Sequence, residues 1–239
     1  MRDFNAEAAA LPVMDFDSRM HAYMMRTFDS HIRGAIALEL GCFQGHMTAL
    51  LLDRFNDVTV IDASEDCIAA AKKVAVSNSK MIEFIHSTFE DALLERQFDA
   101  IFCTHVLEHC DDPLRVMNRC REWLRPDGRL FLAVPNAFSA SRQIAVAMGL
   151  ISAPADVMPA ESAHGHRRTY TEETLGHVVR ASGLKVLKRG GVMLKAFSGA
   201  QMDRALSQRI IDDAYLDGAY QVGNAYPNLC SSIYVVAGR

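Results

Sequence analysis

The run AIALEL (35–40) feeds directly into Gly41-Cys42-Phe43-Gln44-Gly45, and HMTALLLDRF (46–55) follows with apolar residues at helical spacing. A nearly continuous apolar run bounded by a turn is the pattern of a strand covered on both faces of a parallel sheet. A glycine turn between such a strand and a helix aims backbone amides and a helix N-terminus at whatever lies above the carboxyl edge of the sheet. The unit therefore predicts both an architecture and the place where a ligand sits.

The alternation recurs along the first two-thirds of the chain. VTVID (58–62), MIEFIH (81–86), FDAIFCT (98–104) and GRLFLAV (128–134) are further buried-strand candidates, and EDCIAAAKKVAV (65–76) and PLRVMNRCREWL (113–124) carry helical spacing. Pro113 suits a first helical turn, and Pro126-Asp127-Gly128 is a turn that launches the next strand. Alternating strands and helices require right-handed crossovers, so the expected fold is α/β, a doubly wound Rossmann-like sheet with helices on both faces. After Val134 the rhythm changes: residues 135–170 carry Gly, Pro and His with one short helical stretch near 139–149, and read as an inserted cap over the ligand edge. Thr171 opens TEETLGHVVRASG (171–183) as an N-cap, Glu172 and Glu173 favour the helix start, and Gly183 closes it. LKVLKRGGVML (184–194) and CSSIYVVAG (230–238) are the last strand candidates, with a helix near 200–216 between them. The expected organisation is one domain over 1–239: an N-terminal helical lid (1–34), a cofactor-binding core (35–134), the cap (135–170) and the C-terminal part of the sheet (171–239).

Bulk properties narrow the classes. The 239 residues are half apolar with a net charge of -4, and Lys and Arg are scattered except for Lys72-Lys73 and Arg167-Arg168, which argues against a nucleic-acid partner. Acidic residues interrupt the start before a signal-type apolar region forms, and no run approaches a membrane span, so a soluble cytoplasmic protein is expected, as monomer or homodimer. Cys42, Cys67, Cys103, Cys110, Cys120 and Cys230 form no C-x-x-C pair and read as reduced thiols.

The loop narrows the ligand. Dinucleotide-binding turns place a glycine at the middle position so that backbone can approach a pyrophosphate, and here that position is Phe43. A ligand without phosphates, such as S-adenosylmethionine (SAM), escapes that constraint. Asp62 ends the second strand about 20 residues further on, where a carboxylate can accept both ribose hydroxyls. Glu39 precedes the loop and can order it or meet the cofactor's charge. Each alone reads as a solvated strand-end acid; together at this spacing they favour a cofactor site.

Taken in order, Glu39-Leu40-Gly41-Cys42-x-x-Gly45, Asp62, Phe98-Asp99-Ala100-Ile101, Leu107-Glu108-His109 with Asp112-Pro113, Leu124-x-Pro126-x-Gly128 and Val134-Pro135-Asn136 resemble the motifs of class I SAM-dependent methyltransferases. The resemblance is to the small-molecule branch that includes the ubiquinone-biosynthesis O-methyltransferases. It spans residues 35–136 well and 171–191 more loosely, and departs at Phe43 and Gln44. It implies a seven-stranded sheet with an antiparallel last strand. It also implies cofactor contacts from Glu39, Gly41, Cys42, Gly45, Asp62, Ala63, Thr88, Phe89, Thr104 and His105, with Gly41 and Gly45 against the methionine tail, Asp62 on the ribose, and Ala63, Thr88 and Phe89 at the adenine.

The stretch His105-Val106-Leu107-Glu108-His109 places three ligand-type residues at i, i+3 and i+4. It matches the H-x-x-E-H zinc signature of inverted metalloproteases, but it follows a strand end and meets Asp111-Asp112-Pro113 at once, where that motif needs a long helix. Relatives in the resembled branch carry an acid at position 105 and bind a divalent metal there; here the preferred reading is that Glu108 and His109 bond loop amides, and no metal is expected. His105 is the better base candidate, with His109 beside it. In the cap, His164 or His166 offers a base, Arg167 can pair with an anionic substrate, and Tyr170 can stack or donate; a solvated basic turn with Tyr170 as a packing staple explains the same residues. Tyr23 is the substrate-side candidate in the N-terminal helix, where packing explains Met24 and Met25 equally well.

The expected reaction moves a methyl group from SAM to an oxygen or nitrogen of a sugar, glycolipid or secondary metabolite, leaving S-adenosylhomocysteine (SAH), with alignment and removal of one proton as the protein's share. A catalytically silent SAM-binding regulator is the alternative. A nicotinamide oxidoreductase is a third reading, opposed by Phe43.

Overall fold

A computed structural model describes residues 2–10, 15–75 and 80–239. Two helices, α1 (Phe4–Ala10) and α2 (Asp15–Phe28), precede the sheet. The core then runs β1 (Ile36–Leu40), α3 (His46–Arg54), β2 (Asp57–Asp62), α4 (Glu65–Ala75), β3 (Met81–His86), β4 (Phe98–Thr104), α5 (Pro113–Trp123) and β5 (Leu124–Pro135). Two short cap helices follow, α6 (Ala140–Ala147) and α7 (Pro159–Ala163), then α8 (Glu172–Ala181), β6 (Lys185–Leu194), α9 (Gly199–Ser207), α10 (Asp213–Ala225) and β7 (Cys230–Gly238).

The seven strands lie in the order β3-β2-β1-β4-β5-β7-β6. β7 is antiparallel to both neighbours and the other pairings are parallel, as expected for this fold. Successive strand residues alternate between two buried layers. Ala37, Ala100, Phe102, Phe131 and Val236 pack on the side of α2, α3 and α4, while Leu38, Ile101, Leu132 and Val235 pack on the side of α5 and α8. Covering both faces is what makes these strands read as continuous apolar runs. Phe102 and Phe131 stack at 4.7 Å between ring centroids, with Phe28 of α2 at 5.1 Å from Phe131, which docks the N-terminal helix on the sheet.

Four expectations change. MIEFIH is a half-exposed edge strand, with Met81 68% exposed, because β3 has a neighbour on one side only. The β5 strand starts earlier than Gly128: Leu124 already pairs with Phe98 before the register shifts to Ala100 and Arg129. The single helix near 200–216 is two helices, each with its own N-cap, Ser198 in a capping box with Gln201 and Asp212 accepting from the Tyr215 amide. The cap also holds a second helix, α7, beyond the one expected near 139–149. Val76, at the end of the expected helix 65–76, lies outside the described residues. The Thr171 capping box with Thr174 and the left-handed Gly183 (φ +81°) are as the sequence suggests.

The cap is knitted by Arg142, 7% exposed, whose Nε donates to the Pro154 carbonyl at 2.7 Å and whose other nitrogens meet Glu161 and the Asp156 carbonyl. Removing such a buried cation strands its partners. Arg142→Ala is expected to cost about 3 kcal/mol in urea denaturation; a change below about 0.5 kcal/mol, the range of ordinary surface substitutions, would show that the cap does not depend on it.

Candidate functional site

The parallel register brings the strand ends level. Leu40 pairs with Ile61 and Cys103, and Asp62 with His86, so the residues after β1, β2, β3 and β4 emerge side by side at one edge. β1 and β4 are the adjacent strands from which the chain departs in opposite directions, the switch point where open α/β sheets bind ligands.

The loop after β1 is held by its own amides. Gly41 N–H donates to the Ile61 carbonyl at 2.9 Å, Cys42 N–H to Asp62 Oδ2 at 2.8 Å, and Gly45 N–H to the Cys42 carbonyl at 2.7 Å. Gly41 and Gly45 have φ of +76° and +82°, and Phe43, at φ +43°, takes the same left-handed region without being glycine. A side chain at Gly41 would stand 2.6 Å from Val106, and one at Gly45 would stand 2.9 Å from the Ala71 backbone in α4. The space left open at Gly45 is thus filled by α4, so its lack of a side chain serves close packing.

Two buried acids flank the loop. Asp62 Oδ1 accepts from Ser64 N–H at 2.8 Å and keeps a further lone pair, while Oδ2 accepts from both the Cys42 N–H at 2.8 Å and the Cys42 thiol at 3.4 Å. Glu39, 1% exposed, accepts from Thr48 Oγ1 at 2.7 Å through Oε2, and its Oε1 has no hydrogen-bond partner. Burial pushes the Glu39 carboxyl up to about 8 despite that hydrogen bond. The Ala63 carbonyl meets His86 Nε2 at 3.1 Å, Thr88 Oγ1 donates to Asp91, and Phe89 packs beneath Gly41. α1 lies across this edge: Ser64 Oγ donates to Asn5 at 2.8 Å, and Arg2 Nη1 donates to the His109 carbonyl at 2.9 Å.

Thr104 ends β4, and His105 follows with φ +54°. A β-carbon in this region stores roughly 1–3 kcal/mol, which the surrounding structure must sustain. Its N–H donates to the Ala133 carbonyl at 2.8 Å, and its Nε2 lies 2.9 Å from Ser232 Oγ on β7. Burial, with His21 next, pushes the imidazole down to about 3. The Nε2 of His105 is already engaged by a hydroxyl on β7. Around it the structure gathers residues the sequence reading did not single out, namely His21, His46, Ser232 and Lys195. Burial pushes Lys195 down to about 8, and burial with Asp203 pushes Asp17 up to about 6. None of these belongs to a recognisable motif; the Asp17-x-x-x-His21 spacing on one helix face was the available signal.

Glu108, His109 and His166 converge, with one donor atom of each within 4.8 Å of the others. Glu108 is 1% exposed and neither carboxylate oxygen meets a hydrogen-bond partner, so it does not bond loop amides as expected. Burial pushes its carboxyl up to about 8 and, with His166 and Arg2, pushes His109 down to about 3. Two imidazoles and a carboxylate are donors a divalent cation such as zinc accepts. The remaining candidates are elsewhere or otherwise occupied. Tyr23 faces α10, its hydroxyl 3.1 Å from Asp217 and its ring against Tyr220. Tyr170 is 3% exposed in the core under Leu107, Arg167 pairs with Asp111 at 2.9 Å, and His164 lies in the cap with its N–H on the Glu161 carbonyl. Tyr170 is thus held in the core, while Tyr23 is partly buried with its hydroxyl on Asp217.

Comparison with known proteins gives a consistent result. The family described as "Methyltransferase domain" matches residues 15–189. A ubiquinone biosynthesis O-methyltransferase of Xylella fastidiosa is 32% identical over 117 residues, 48% of this chain and 48% of that protein. The chain spans about half the length of the curated relatives it matches. Among solved structures, the N-methyltransferase NodS of Bradyrhizobium japonicum in complex with SAH superposes with a TM-score of 0.62 at 17% identity, covering 98% of each chain. The 1,6-didemethyltoxoflavin-N1-methyltransferase of Burkholderia thailandensis, with its substrate and SAH bound, gives 0.62 at 18% identity over 93% of this chain and 79% of that one.

The strained loop yields a direct check. Gly45→Ala must adopt φ +82° and displace Ala71, and is expected to cost about 2 kcal/mol, a fall in Tm of roughly 4–8 °C by calorimetry. Gln44→Ala should change stability by less than about 0.5 kcal/mol; equal effects would mean the loop is not packed as described.

Proposed function

The chain belongs to the methyltransferase domain family, and on that premise we propose that it binds SAM across the carboxyl edge of β1, β2 and β4 and transfers its methyl group to an oxygen or nitrogen of a small molecule. One observation carries the reading: a buried acid pair, Glu39 and Asp62, bracketing a loop whose Gly41, Cys42 and Gly45 amides are spent internally. Those three amides are not free for a pyrophosphate, whereas Asp62 Oδ1 can still accept from a ribose hydroxyl and the unpartnered Glu39 Oε1 suits an ammonium. The organic acceptor site lies on the other side of the switch point, between His105 and the cap.

SAM supplies an already activated methyl group. The chain's own part is then to orient: Asp62 fixes the nucleoside end, Glu39 the amino-acid end, and the strained His105 backbone sets the wall beside the transfer axis. α1, tied to both rims through Asn5 and Arg2, covers the nucleoside end and limits water. Glu108, His109 and His166 would hold a divalent cation, which would lower the pKa of an acceptor hydroxyl; the transfer has no step that requires it. Relatives and neighbours act on both oxygen and nitrogen, so the acceptor atom is left open. Among the described residues no helix is long and apolar enough to cross a membrane.

SAM and SAH, but not NAD, are expected to raise the Tm; stabilisation by NAD alone would reverse the assignment. The pH dependence has a definite sign. With its carboxyl near 8, Glu39 is largely protonated at pH 7 in the free protein, and a bound ammonium favours the carboxylate. SAH binding should therefore release protons between about pH 6 and 8 and tighten as pH rises through that window. Calorimetric titration in two buffers of different ionisation enthalpy reads this directly, and Glu39→Gln should abolish it; proton uptake would contradict the placement.

A further inference from the structure

Transfer to an O–H or N–H group leaves one proton to remove. His105 Nε2 is bound to Ser232 Oγ at 2.9 Å. His109 and His166 meet edge to face at 4.6 Å with their donor atoms gathered on Glu108. His21 on α2 is different. Its ring centroid lies 6.4 Å from His46 and 6.4 Å from His105. Those residues follow Gly45 and Thr104, so His21 bridges the gap above the diverging ends of β1 and β4. Its Nδ1 is sealed from solvent and closes no hydrogen bond, although the Asp17 backbone one turn earlier pulls on a ring proton. The residue as a whole is only partly buried, and of its two ring nitrogens Nδ1 alone is both sealed and unpartnered.

We propose that His21 is the general base of the reaction, accepting the acceptor's proton on Nε2. The inference rests on the methyl-transfer reading above. As the acceptor's oxygen or nitrogen bonds to the methyl carbon, the sulfur–methyl bond breaks and sulfur keeps the bonding pair as a neutral thioether. The acceptor's proton passes to His21, and the resulting imidazolium returns it to water past His46. Burial, reinforced by His46, holds His21 at about 4, so it stands neutral, with its lone pair available, across the physiological range.

Two measurements test this. In the first, wild-type protein is treated with diethylpyrocarbonate with and without SAH and mapped by mass spectrometry. His21 should be carbethoxylated in the free protein and protected by SAH; no modification, or no protection, would overturn the proposal without reference to any acceptor. In the second, His21→Gln is compared with wild type on a panel of phenolic, sugar and amine acceptors, scored by SAH release. Kcat should fall by about 100-fold with SAH affinity within threefold of wild type, and kcat within threefold of wild type would overturn the proposal. If the variant loses SAH binding, the wild-type mapping decides. Failure of the wild-type protein to methylate any acceptor counts against the methyl-transfer reading, whereas failed protection counts against His21 alone.

Discussion

The Asp62 carboxylate joins two loops at the point where a ligand is expected. One oxygen takes the Cys42 amide and fixes the turn after β1; the other takes the Ser64 amide and fixes the turn into α4. Both contacts are buried, where a charge-assisted hydrogen bond contributes roughly twice what a neutral one does. In the turn so fixed, Gly41 and Gly45 adopt left-handed backbone and Gly45 lies against Ala71. The geometry of the ligand edge thus follows from one side chain at the end of β2, and the residues that follow β1, β3 and β4 take their positions relative to it through the register of the sheet.

Beyond that anchor, burial shifts several groups of the site toward their neutral forms. Glu39 and Glu108 are pushed up to about 8, and His21 and His105 are pushed down to about 4 and 3, each chiefly by desolvation. A cleft of this kind carries little fixed charge, yet each group can change state when a charged ligand replaces water beside it. The proposed binding of a cationic cofactor at Glu39 and loss of a proton to His21 would each draw on that property.

The sheet was legible because strands buried on both faces leave an unmistakable apolar rhythm, and the Gly41–Gly45 loop with Asp62 was legible because spacing along the chain fixes their relation. MIEFIH misled because an edge strand and a central strand differ in neighbours that the sequence does not name. The helix pair α9 and α10 was merged because its break rests on local caps, Ser198 and Asp212, inside a stretch of continuous apolar spacing. In the site, Glu39 and Asp62 lie where local pattern places them. Tyr23 and Tyr170 did not, because which face of a helix or loop meets the core is decided by partners far away, Asp217 for one and Leu107 for the other. His21, Lys195 and Ser232 come from three distant segments brought together by the fold, and apart from the Asp17-x-x-x-His21 spacing no local pattern announces them.

The central claim is that a SAM-type ligand lies across the β1–β4 switch point, anchored at Asp62. A crystal structure of the SAH complex tests it most directly. The account predicts ribose hydroxyls within hydrogen-bond distance of Asp62, the amino group beside Glu39, and the sulfur facing the space between His21 and His105. SAH bound away from Asp62, or with its sulfur turned from those histidines, would contradict it.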